Sequence, residues 1–191
     1  MDWEYLFYRL GQGFYTLFIM QLFCLTTIII YLIKNGKSNP TRYLAIISIA
    51  SFVQVLLTEL ENLIDPHQKS GIYIDQKLMY GYLIIEIICS SLYISKSTQS
   101  PKIKKIIPGS AFLFGIYTIT FWLPHFTTKI LPHHIEIIEG FLIITYCLYF
   151  FYELFTTKPD KILLREPAFW AISGMLILFT AITPLSLFLI T

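Results

Sequence analysis

The sequence predicts an all-α integral membrane protein, a six-helix transmembrane bundle with both termini outside. Three observations lead there. Hydrophobic residues make up 55% of the 191-residue chain and charged residues only 14%, where a soluble domain carries about a quarter charged residues. Mean hydropathy is +0.65. The apolar residues fall in long blocks separated by turn-forming clusters, the pattern of a chain that crosses a bilayer repeatedly.

Residues 1–13 open the chain. There Trp3, Leu6, Phe7 and Leu10 recur at i, i+3, i+4, i+7, the spacing of an amphipathic helix lying in the interface; a disordered start is the other reading. This segment lacks a basic n-region and a small-residue cleavage site, so no removable signal peptide is expected. Residues 14–191 then form the spanning domain. A spanning helix needs about 20 predominantly apolar residues. Six segments qualify: Phe14–Ile33, Tyr43–Ile64, Leu78–Ser95, Ile106–Leu123, Ile135–Phe155 and Pro167–Ile190. Breakers punctuate the joints: NGKSNP, DPHQKSG, STQSP, LPHF with LPHH, and TKPD. Pro167 stands where a helix starts without losing a hydrogen bond, and Pro184 is placed to kink the last span.

Charge sets the expected orientation. The first, third and fifth loops hold Lys34, Lys37, Arg42; Lys96, Lys102, Lys104, Lys105; and Lys158, Lys161, Arg165, most of the 14 basic residues. The positive-inside bias puts those loops in the cytoplasm and makes a cell (cytoplasmic or inner) membrane the expected location. Membrane lipid is the first partner implied. A net charge of +2 offers no basic surface for nucleic acid. Cys24, Cys89 and Cys147 all lie inside apolar blocks and read as packing residues rather than a disulfide framework.

Polar residues inside the spans carry the functional expectation. In the second span Ser51, Gln54, Thr58, Glu61 and Asn62 share a face opposite Ile49, Val53, Leu56 and Leu60. Tyr82, Glu86, Ser90 and Tyr93 form a stripe on the third span. Glu136, Glu139, Tyr146, Tyr149 and Glu153 form another on the fifth. Lipid satisfies none of these groups, so the three faces are expected to turn toward one another. At about 1.5 Å per residue, Glu86 lies roughly 13 Å below the outer end of its span, and Glu61 and Glu139 roughly 5–9 Å. No Lys or Arg lies in the apolar body of any span to pair with Glu86. Either Glu86 holds a proton and donates it to a partner such as Gln54 or a tyrosine, or a bound cation supplies the missing charge. The expected ligand site is therefore Glu86 with Gln54, Glu61, Glu139, Tyr146 and Tyr82. Interhelical glue, worth about 0.6 kcal/mol per group, is the plainer reading of the same residues.

A second constellation gathers at the outer loops. His67, His125, His133 and Glu136, with His134 nearby, supply the nitrogen and oxygen donors that suit zinc, and an open position on such an ion makes a hydrolytic water. His133 and Glu136 stand three apart in HHIEIIEG, without the paired His-x-x-x-His of familiar zinc helices. No phosphate-cradling glycine loop, nucleophile elbow or CxxC pair is present. Nothing specifies a cofactor, and the balance is against an enzyme.

YFFYELF, followed after a basic loop by EPAFWAISGMLILF, resembles the late helices of small multi-span modules adjoining histidine kinases in Bacteroidota-type bacteria. Pro167, Phe169, Trp170 and Gly174 open the span in the order those modules use. The resemblance covers about a quarter of the chain and implies signalling at the membrane through a partner protein, since no kinase domain follows the last span. Three functions are thus expected in turn. First is a membrane module that senses a small ligand or proton in an outer-half pocket and acts through a signalling partner or a homo-oligomer. Next is a proton- or cation-coupled transporter or channel component, then an intramembrane metal-dependent hydrolase.

Overall fold

Lipid-length apolar runs with breakers between them produce helices and nothing else. The structure, a computed structural model, describes residues 40–64, 74–123, 133–157 and 166–188, together with Leu22, Leu25, Thr26, Ile29, Ile30 and Ile33. Its elements are α1 (Arg42–Ile64), α2 (Ile74–Ser97), α3 (Ile103–Trp122), α4 (His133–Thr157) and α5 (Pro167–Phe188). No strand occurs among the described residues.

Three of these helices are long and apolar enough to cross a membrane: Lys77–Ser97 within α2, His133–Thr156 within α4 and Pro167–Pro184 within α5. Among the described residues, the six-helix bundle with both termini outside is therefore corrected to five helices with three candidate spans. In α1 the apolar stretch Arg42–Thr58 reaches the edge of the residues whose side chains are described. In α3, Lys104 and Lys105 take the first turn and Pro108, Gly109 and Ser110 dilute the second. What remains falls short of the about 20 apolar residues a crossing needs. Of the expected Phe14–Ile33 span, the positions listed above between 22 and 33 are helical, and the rest lies outside the described residues, as do residues 1–13.

The chain divides into two units, Met1–Tyr82 and Leu83–Thr191. In the first, Pro40 precedes α1, and the Tyr43 amide donates to its carbonyl at 3.0 Å. Arg42 donates to the Tyr43 hydroxyl at 2.9 Å and lies over its ring. Ile46, Ile49, Val53 and Leu56 are exposed along one side, while Ser51, Gln54 and Thr58 are half-buried.

The second unit runs from the body of α2 to α5. Its direction is fixed by contacts at the helix ends: Ser95 of α2 bonds the start of α3, and Phe121 near the end of α3 packs edge-on against His134 at the start of α4. Helices α2 and α4 thus run the same way, with α3 antiparallel to both. The core is a stripe on α4 at steps of three and four, Ile135, Glu139, Ile143, Tyr146, Cys147, Phe150 and Leu154, joined by Ile87 and Ile94 of α2 and Ile172 and Phe179 of α5. Helix α5 lies closely along α4. A Cβ added at Gly140 would collide with the Thr183 Oγ1, so the missing side chain is what lets the two helices approach. Phe151 meets Phe169 edge-on at 5.8 Å and ties the same pair together near the far end of α4.

The exterior is apolar, and several polar groups lie inside with the apolar core. Phe112, Leu113, Ile177 and Phe188 are each more than 60% exposed, while Ser90, Ser91, Thr118, Glu139 and Thr183 are buried. Such a continuous apolar exterior in water would aggregate; facing acyl chains it is the preferred surface.

Candidate functional site

Two features of the backbone position the polar groups of the second unit. The first is a repair. Pro108 has no amide hydrogen, so the carbonyl of Lys104, four residues earlier in α3, loses its helical donor. The Ser95 hydroxyl of α2 donates to that carbonyl at 2.8 Å. A missing rung of one helix is supplied by its neighbour, which fixes α2 against α3.

The second is a tie. The Glu153 carboxylate of α4 accepts the amide hydrogens of Gln99 at 2.7 Å and Ser100 at 2.6 Å, one on each oxygen. These amides lie in the turn between α2 and α3, where no helix satisfies them. Counting back along α2 and α4 from this tie at about 1.5 Å per residue, Glu86 and Glu139 both lie roughly 20 Å away, at one level.

At that level the acids meet. Glu139 is fully buried, and both Glu86 and Glu136 act on it electrostatically. Its Oε1 has no hydrogen-bond partner. One residue along the helix, Gly140 abuts Thr183 of α5, whose buried Oγ1 also has no partner. Glu136 reaches back to His133, Nδ1 to Oε2, at 3.5 Å, the outer limit of a hydrogen bond, and both side chains are half-buried. No Lys or Arg occurs in α2 between Lys77 and Lys96, or anywhere in α4 or α5. The layer therefore brings together three carboxyl groups and two oxygens without a hydrogen-bond partner, those of Glu139 and Thr183. A carboxylate in such a place requires a proton or a cation.

Tyr146, two turns further along α4, is buried and shares a 2.6 Å hydrogen bond with Ser110 of α3, which also donates to the Ile106 and Ile107 carbonyls. That engagement assigns Tyr146 to the α3–α4 contact. Gln54 and Tyr82 are half-buried in the first unit. The side chain of Glu61 lies outside the described residues, as do His67 and His125. Among the described residues no group of three His, Cys, Asp or Glu side chains is arranged to hold a metal ion. Cys89 and Cys147 are free and buried.

Of the ligand set expected from sequence, the second unit brings together Glu86 and Glu139, with Glu136 from the metal set as their neighbour. Sequence reasoning missed Thr183, Ser95 and the structural use of Glu153. Signals existed for two of them. A proline inside an apolar run announces an orphaned carbonyl that some donor must meet, and a glycine inside one announces a close neighbour. Nothing in the sequence marked Glu153 off from the other acids on its stripe. Comparison with family models, curated proteins and solved structures finds no match for this chain.

Proposed function

We propose that this chain is a membrane module that binds a proton or a small monovalent cation between Glu86 and Glu139, and that occupancy of the site shifts how α2 sits beside α4. One observation carries the reading: a fully buried carboxylate with an unpartnered oxygen, acted on by two further carboxylates, inside a helix long enough to cross a membrane. Binding that neutralises the layer favours the arrangement in which the helices close on it, which couples occupancy to conformation. Output would pass to a partner protein, the sensing role expected from the sequence.

The transporter reading requires a relay that continues along the helices. Glu153, the next acid on α4, has both oxygens committed to backbone amides, which favours a closed site over a path. The hydrolase reading draws no support from the described residues.

The test is difference infrared spectroscopy on protein reconstituted in neutral lipid, with and without Na⁺, K⁺ and ammonium. The expected result is a protonated-carboxyl band, or a cation-dependent shift of the carboxylate bands, that disappears in both Glu86→Gln and Glu139→Gln. A wild-type spectrum identical to that of both variants under all four conditions sinks the proposal. Glu86-dependent proton flux in liposomes would replace it with transport.

A further inference from the structure

We propose that the turn joining α2 to α3 is a binding site for the phosphate headgroups of anionic phospholipids. Lys96, Lys102, Lys104 and Lys105 are all exposed and lie within about one and a half helical turns of the Ser97 end of a membrane-length helix. That end is where headgroup phosphates lie, and clustered lysines there attract anionic lipid.

Three features argue that these lysines do more than set topology. First, the backbone that carries them is held rigidly: Glu153 binds the Gln99 and Ser100 amides, Ser95 binds the Lys104 carbonyl, and Thr98 donates to the Ile94 and Ser95 carbonyls. A topology signal needs only its charge during insertion, not a fixed shape afterwards. Second, their position opposes helix stability. Lys102 precedes α3 with no side-chain cap, Lys104 and Lys105 follow in its first turn, and no acidic residue is there. Positive charge at a helix start is unfavourable, so an external anion is the natural counterweight. Third, the acids at this end are few. Among the described residues they are Glu153, whose oxygens are taken by backbone amides, and Glu166.

The site commits to lipid because the patch borders an apolar exterior. Ile106, two residues past Lys104, is 59% exposed, and Phe112 and Leu113 continue that surface along α3. A headgroup bound at the lysines can lay its acyl chains there.

The experiment measures lipid retention by native mass spectrometry, and thermal stability in neutral detergent, for the full chain titrated with phosphatidylglycerol, phosphatidylcholine or glycerol phosphate. Wild type should retain and be stabilised by phosphatidylglycerol alone. The triple variant Lys102→Gln, Lys104→Gln, Lys105→Gln should bind it about ten- to a hundred-fold more weakly. Arginine at the same three positions should restore binding, and Arg42→Gln in α1 should leave it unchanged. Equal phosphatidylglycerol binding by wild type and the glutamine variant overturns the proposal, as does equal retention of phosphatidylcholine. Full stabilisation by glycerol phosphate would make this a site for a soluble anion and also overturn it.

Discussion

Two of the three glutamates of helix α4 lie toward opposite ends, and the protein treats them oppositely. Glu153 gives each oxygen a backbone amide and closes a turn. Glu139, four turns back, is more deeply buried, yet keeps an oxygen without a partner and faces other acids. The same functional group is a structural clamp in one place and an incompletely partnered carboxyl in the other. The difference teaches that depth alone does not mark a site. What marks it is a polar group whose burial the fold leaves uncompensated, since a fold selected only for stability would replace it with a hydrocarbon side chain.

Four substitutions break or sharpen this contrast. The largest effect is expected at Glu153→Ala, which removes two charge-assisted hydrogen bonds at once. Charge-assisted bonds contribute about 1.5–3 kcal/mol each when buried, and with this turn partly exposed the total should be about 2–3 kcal/mol, read as a lower unfolding midpoint in detergent. Glu153→Gln, which keeps one acceptor, should lose about half as much. Gly140→Ala comes next. Its new methyl meets Thr183, so α4 and α5 must part, at about 1–3 kcal/mol for overpacking; Gly140→Ala combined with Thr183→Ala should recover most of the loss.

Ser95→Ala follows, leaving the Lys104 carbonyl with neither its helical donor nor its substitute, at about 1 kcal/mol. Amide exchange should then quicken around residues 104–108, where a merely exposed serine would show no change. The smallest effect on stability, and the informative one, is expected at Glu139→Leu. Replacing an uncompensated buried carboxylate with hydrocarbon should leave the unfolding midpoint unchanged or raise it slightly, by up to about 1 kcal/mol, while abolishing the proton or cation response. A loss as large as that of Glu153→Ala would show that Glu139 is another clamp.

Much of this was legible in the sequence, and the parts that were not share a cause. Apolar block length found α2, α4 and α5 within a few residues, and the stripe rule put Glu86 and Glu139 on inward faces. The same rule over-counted spans. Block length treats Lys104, Lys105 and Pro108 as interruptions at the rim of a span, whereas together they interrupt the first two turns of α3. Depth measured from each helix's own end placed Glu86 below Glu139. Only the tie between Glu153 and the α2–α3 turn, a pairing between residues more than fifty positions apart, shows that the two acids share one level. Periodicity reads one helix at a time, and the relative height of two helices is a property of their contacts.

The borrowed donor at Pro108 bears on the sequence of assembly. The carbonyl it leaves open is completed by a hydroxyl from the helix preceding it in the chain, so during synthesis the donor has emerged before the acceptor that needs it. Helix α3 can therefore satisfy that carbonyl as soon as it docks on α2, whereas the turn between the two helices keeps its Gln99 and Ser100 amides open until Glu153 of α4 arrives.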